Sequence, residues 1–341
     1  MNSILTKPSG NCDVHMGVDG KGMNFRCQDC HKTRNHMISG RSISVPVAEG
    51  DLSCEYCHTD RPHLADSLKA YHLNRHSKHV ACQTCHIPVY SKCKPTKVYW
   101  DWSTAGKDLP HHKDKYGMPT FKKKKGSFKW QEAAKPSYFW YNGTVKRYIL
   151  GDRINANGVT QLTKPVGDIS DPASRIYPFK IHRGRQISDA VNKYLIAPQL
   201  WKGFWKHWDW DRAARNGMRY AGLDYSGKYE FVDTVMYWGL THEVVPKERA
   251  LSCAQCHPTL ARAPYCARCH KPEPGVDFKK LATQGMDFKL LLEKGRDVAA
   301  LVGQTDYLNF KALGYAGDPI ETGGRFRKLP LSTTVVQKKR R

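Results

Sequence analysis

The stretch VACQTCHIP, residues 80–88, sets two cysteines three apart with a histidine directly behind the second. Four further copies keep that spacing: CQDCH at 27–31, CEYCH at 54–58, CAQCH at 253–257 and CARCH at 266–270. The five motifs take ten of the 12 cysteines and leave only Cys12 and Cys93, which are expected to be free thiols, a pair being possible only if the fold brings them together. Zinc needs four ligands, usually from two paired clusters, and offers no reason for a histidine behind every pair. A redox dithiol needs neither the histidine nor the repetition. C-x-x-C-H is the attachment signature of c-type haem. Two thioethers grip the two vinyl groups along one haem edge, and the adjacent histidine falls under the iron. The thioether pairs are then Cys27 and Cys30, Cys54 and Cys57, Cys82 and Cys85, Cys253 and Cys256, and Cys266 and Cys269. The proximal ligands are His31, His58, His86, His257 and His270, and the expected cofactor is five covalently attached haems c.

The chain has 16 histidines, so the remainder carry the next question. An electron-transfer haem takes a second strong axial ligand, whereas a catalytic haem keeps that face open or weakly held. The candidate distal ligands are His15, His36, His63, His76, His182 and His242. His72 and His79 share a helical face with His76 and are weaker candidates. His111, His112 and His207 read as surface or hydrogen-bonding residues.

Composition bounds the rest. The 341 residues are 40% hydrophobic and 25% charged, the balance of a globular chain. No apolar run approaches the roughly 18 residues of a membrane helix, so no integral membrane segment is expected. The formal charge of +24 is spread along the chain. Its dense runs, FKKKKGSF at 121–128 and QKKRR at 337–341, read as exposed loops or tails and not as a nucleic-acid surface. Haem propionates offset part of this charge and pair with Lys and Arg.

Three segments are expected. Residues 1–93 hold three motifs, 94–245 hold none but are rich in Trp and Tyr, and 246–341 hold two motifs with a helical stretch and a basic tail. The haem-free segment is expected to wrap the haems, the whole forming one haem-packed unit. SYFWY-NG-TVKRYIL, 137–150, reads as a β-hairpin, because Asn-Gly between β-formers signals a type I′ turn. The expected fold is mainly α: short helices at the motifs, long loops, a haem-packed core and this one β-hairpin.

CQDCHKTRNHMISGRS, VACQTCHIP, PTKVYWDWSTAG, PFKIHRGRQ, HEVVPKERALSCAQCH and LGYAGDPI together, in this order, resemble the octahaem tetrathionate reductase family of c-type cytochromes. The resemblance implies a periplasmic, mostly helical protein acting on small sulfur or nitrogen oxyanions such as tetrathionate, nitrite or hydroxylamine. It also implies further haem motifs upstream of CQDCH, including the catalytic haem with its lysine ligand, which no residue here matches. CARCH at 266–270 is an addition to the family pattern. Implied partners are redox proteins or the haem-bearing N-terminal part. The N-terminus MNSILTKPSGNCDVHMG has no export segment, and a start further upstream, or a separate chain supplying the other half, is expected. Lys97, Arg183 and Arg185 are basic residues that could meet an anionic substrate, and Lys97 is a weak candidate for an iron ligand. The alternative to the reductase reading is a stand-alone electron carrier.

Overall fold

A computed structural model describes residues 6–42, 44–46, 52–64, 67–257 and 307–322. The fifth motif, with Cys266, Cys269 and His270, lies outside the described residues. The chain divides into two compact units, Met1–Gly167 with Ser174–Ala250, and Asp168–Ala173 with Leu251–Arg341.

In the first unit the motifs make single helical turns: α1 (Cys27–Cys30), α2 (Glu55–His58) and α4 (Cys82–His86). Between the second and third runs α3 (Leu68–His76), capped by Ser67, whose side chain accepts from the Ala70 amide. A two-stranded ribbon, β1 (Thr33–Arg34) with β2 (Met37–Ile38), follows the first motif.

The aromatic-rich segment builds a sheet, which overturns the mainly α expectation. Seven strands take part: β3 (Thr96–Asp101), β4 (Phe121–Lys122), β5 (Gly126–Gln131), β6 (Ser137–Tyr141), β8 (Thr160–Gln161), β10 (Arg175–Asp189) and β11 (Tyr229–Gly239). Their order is β4-β5-β3-β10-β11-β8, with β6 also paired to β10. The cause is local. RIYPFKIHRGRQISD and YEFVDTVMYWG are rich in β-branched and aromatic residues, which fit a pleated, half-buried surface. They pair antiparallel from Phe179 opposite Gly239 to Asp189 opposite Tyr229. Among the described residues, helix is limited to the motif turns, α3, α6 and a few short segments.

The expected hairpin across Asn142-Gly143 does not form. β6 pairs with β10, while β7 (Val145–Arg147) pairs with β9 (Thr163–Pro165). Asn142 does make a turn: its Oδ1 accepts from the Thr144 amide at 3.2 Å and hydroxyl at 2.7 Å. The two runs leave that turn toward different strands.

A core cluster lies where α6 (Trp210–Ala221) packs on the sheet, after the short helix α5 (Trp205–His207). Asp209 caps α6 by accepting from the Arg212 amide, and Gly222 ends it in the left-handed conformation. Phe204 stacks on Trp210 with centroids 3.7 Å apart, above the buried Ala213, Ala214 and Met218. Gly217 permits the closest approach: a Cβ there would stand 1.8 Å from the Ala197 carbonyl oxygen.

The sheet then anchors the third motif. The Thr84 hydroxyl and the Ala81 amide both donate to the Ile176 carbonyl on β10, at 2.8 and 3.0 Å. In the second unit, the described residues include α7 (Cys253–Cys256) and α8 (Pro319–Thr322).

Candidate haem centres

Each described motif folds the same way. The histidine amide reaches back to the carbonyl of the first cysteine: His31 to Cys27 at 2.7 Å, His58 to Cys54 at 2.9 Å and His257 to Cys253 at 2.8 Å. His86 lies within α4 itself. On a helical turn, positions i, i+3 and i+4 share one face. Both thiols and the imidazole are therefore presented together, as a porphyrin held by its edge and its iron requires.

The imidazoles are also oriented. His31 Nδ1 lies 3.0 Å from the Ser39 carbonyl oxygen, and His86 Nδ1 lies 3.3 Å from that of Val245. In the second unit His257 Nδ1 lies 2.7 Å from Asp318 Oδ1. An oxygen acceptor at Nδ1 fixes the tautomer and leaves Nε2 to bind a metal.

Two distal candidates stand opposite motif histidines. The rings of His31 and His242 have centroids 6.2 Å apart and planes 30° apart. Those of His15 and His58 are 6.0 Å apart and tilted by 55°. An iron bonded on both faces to imidazole nitrogens at about 2 Å separates the ring centroids by about 6 Å. The donor chemistry and the spacing both fit a bis-histidine haem, a group of which the described residues supply the protein half.

Burial favours neutral imidazole in the distal set. It lowers the pKa of His242 and of His15, the latter partly offset by Asp13. It also lowers His63, where the charge of His86 adds to the effect. His63 is held by α3, its amide donating to Asn74 Oδ1 at 3.1 Å and its carbonyl accepting from Asn74 Nδ2 at 2.9 Å. His76 closes α3. His36 and His182 are not set against a motif histidine among the described residues. His36 occupies the exposed β1–β2 turn with φ +62°. His182 sits on β10 with Nδ1 3.1 Å from the Lys97 carbonyl oxygen, its pKa lowered by burial.

The motif thiols adjoin one another. The side chains of Cys54 and Cys82 are hydrogen-bonded, which raises the pKa of Cys54 and lowers that of Cys82. Burial raises Cys30, and the neighbouring Cys57 adds to it. The first and second motifs, and the second and third, are thus near enough for their thiols to influence one another.

Two sequence expectations change here. Cys12 and Cys93 are not free thiols: they form a disulfide with Cα atoms 5.9 Å apart, within ordinary bridging distance. Lys97 points its ammonium into aromatic rings, 3.6 Å from the centroid of Trp100 and 3.8 Å from that of Phe128. Burial and then the charges of Lys125, Lys122 and Lys180 bring its pKa down to about 8. Arg183 and Arg185 are exposed on β10, on the strand face opposite His182.

Residues 97–259 match the family model described as bacterial cytochrome c. No curated protein matches the sequence. Among solved structures, an octahaem cytochrome c from Shewanella oneidensis is similar, with 40% identity and a TM-score of 0.72. The match covers 94% of this chain and 63% of that one, so the chain spans less than two thirds of its relative's length. Repeated attachment turns, oriented imidazoles and these two matches agree, and together they support a multihaem c-type cytochrome family, whose cofactor is covalently bound haem c.

Proposed function

We propose that the chain binds five haems c through its five C-x-x-C-H motifs and passes electrons along them. The observation that carries this reading is the pair of histidine–histidine separations, 6.2 Å and 6.0 Å, each spanning the width of one axially ligated iron. His31 with His242 and His58 with His15 are the axial pairs of the first two haems. His63 is a candidate distal partner of His86, whose charge contributes to lowering the pKa of His63. His36, His76 and His182 remain candidates for the other irons.

Bound haem supplies one-electron chemistry at a potential set by axial ligands, hydrogen bonding and burial. The chain's own contribution is to saturate the iron and fix the imidazoles. A strong ligand on each face closes the metal to substrate, which suits transfer and not catalysis. The Nδ1 contacts of His31 and His86 hold their rings against rotation. The neighbouring motif thiols, Cys30 with Cys57 and Cys54 with Cys82, would hold consecutive haems near one another, as fast transfer needs.

The finer reading is that this electron row serves a periplasmic reductase of small sulfur or nitrogen oxyanions. It draws on the resemblance of the sequence to the octahaem tetrathionate reductases and on the +24 charge, which steers anions. The catalytic iron belongs to a haem-bearing part beyond these residues, and no catalytic residue is assigned here. Both readings are tested on the native protein. Reduction of tetrathionate, nitrite or hydroxylamine by it supports the reductase role. Full haem content with none of these activities leaves the electron carrier.

A further inference from the structure

One carboxylate lies between the two distal-histidine loops. Asp13 is 2% exposed. Its Oδ1 accepts from the amides of His15 at 2.8 Å and Met16 at 3.0 Å. Its Oδ2 accepts from the amides of Glu243 at 2.7 Å and Val244 at 3.1 Å. Of these four donors, one belongs to His15 itself and one to the residue directly after His242. The Val14 amide adds a bond to the Val244 carbonyl at 2.9 Å.

The chemistry calls for a carboxylate. Four part-buried N–H groups converge on one buried side chain, and an amide left unpaired away from water is costly. Only an ionised carboxylate offers acceptors alone, with about four lone-pair sites on two oxygens. An asparagine would turn its own N–H₂ toward two of the donors. The backbone at the second loop also needs holding. Glu243 adopts φ +69°, an unusual state for a residue other than glycine, which persists where its surroundings over-determine it. Asp13 fixes its amide, and Lys92 fixes the rest: the Lys92 amide donates to Glu243 Oε2 at 2.8 Å, and Nζ donates to the Glu243 carbonyl at 2.7 Å. The Cys12–Cys93 disulfide joins the residues next to Asp13 and Lys92.

We infer that Asp13 is the positioning residue for the distal ligands of two neighbouring haems, so that a single carboxylate locks His15 and His242 onto their irons together. The inference rests on reading the His31–His242 and His58–His15 pairs as axial ligands.

The test counts carbon monoxide bound per chain by the ferrous, fully haem-loaded protein, since carbon monoxide enters only where an axial position opens. His15→Ala and His242→Ala should each add one equivalent over the wild type. If neither does, the ligand reading itself fails. Given those increments, Asp13→Ala should add two equivalents at unchanged haem content. In the His15→Ala background it should add one, and in the double histidine background none, because both positions are already open. A purely structural role would loosen other haems and keep adding equivalents in that background, which would overturn the inference. So would an Asp13→Ala protein that adds none or only one. If Asp13→Ala does not fold, Asp13→Asn takes its place. It keeps one acceptor oxygen, and it should open at least one of the two positions; opening neither overturns the inference.

Discussion

At the scale of single residues, Lys97 shows what burial does to a charge. Its ammonium sits against Trp100 and Phe128, and its pKa falls to about 8. In the unfolded chain a lysine titrates near about 10.4. Between these values the unfolded state binds more protons than the folded one, so folding stability rises with pH. The penalty is complete below the folded pKa and is relieved as pH climbs past the unfolded one. Lys97→Met should flatten this rise, measured as denaturation midpoints from pH 7 to pH 10. A wild type and variant with parallel pH profiles would contradict the assignment. The aromatic box also explains why the ammonium makes a poor iron ligand: its rings compete for the charge that ligation would have to remove.

The residue scale is also where the sequence was most readable. The C-x-x-C-H turns are fixed by chemistry, because the spacing that reaches two vinyl groups is the spacing that shares a helical face. His15 and His242 were legible as candidates because they flank motifs or precede one. Asp13 was not: an aspartate in CDVH carries no periodic or motif signal, and its donors arrive from 230 and 231 residues away. The Cys12–Cys93 bridge was missed for a similar reason, as nothing local brings two cysteines 81 residues apart together.

At the scale of elements, two contacts carry the packing. Gly217 on α6 faces the Ala197 carbonyl, leaving no room for a methyl group. Gly217→Ala should lower stability by about 1–3 kcal/mol, the usual range for overpacking, even though alanine is the better helix former. An unchanged or raised midpoint in chemical denaturation would show that α6 packs less tightly than described. The disulfide closes a long loop in the unfolded chain. By the loop-entropy relation a separation of 81 residues is worth about 4 kcal/mol. Replacing both cysteines by serine should lower the thermal midpoint clearly, while haem content stays constant. A midpoint that does not move would exclude the bridge as a stabilising element.

The sheet marks the limit of local reading. The strand-forming composition of SYFWY and TVKRYIL was visible, but their partners were not. β6 finds β10, and β3 joins β10 in parallel, pairings decided by distant chain. The Asn-Gly turn formed without making a hairpin, because each flanking run gained more from a strand elsewhere. Aromatic residues such as Tyr141, Tyr177 and Phe179 pack edge-on against one another in the sheet's own core.

At the scale of the molecule, the parts assign a division of labour. The motif turns present thiols and imidazoles, the sheet and α6 supply a side-chain core, and the Asp13 junction gathers the distal loops. The second motif is the one whose thiols influence both neighbours, Cys57 acting on Cys30 and Cys54 pairing with Cys82. A loss of haem at the middle site should therefore interrupt transfer more than a loss at the first. Cys54→Ser with Cys57→Ser should slow internal electron equilibration, followed by flash photoreduction, beyond the effect of the same change at Cys27 and Cys30. Equal slowing in the two variants would contradict a linear row.

The central claim is that five haems are covalently held and axially saturated by histidine. The most direct measurement is the intact mass of the mature protein, with its haem quantified by the pyridine haemochrome. Haem attached at all five motifs of this sequence, with each of those irons low-spin at rest, is the predicted result. Alkylatable thiols at the motif cysteines, or a mass without haem, would contradict it.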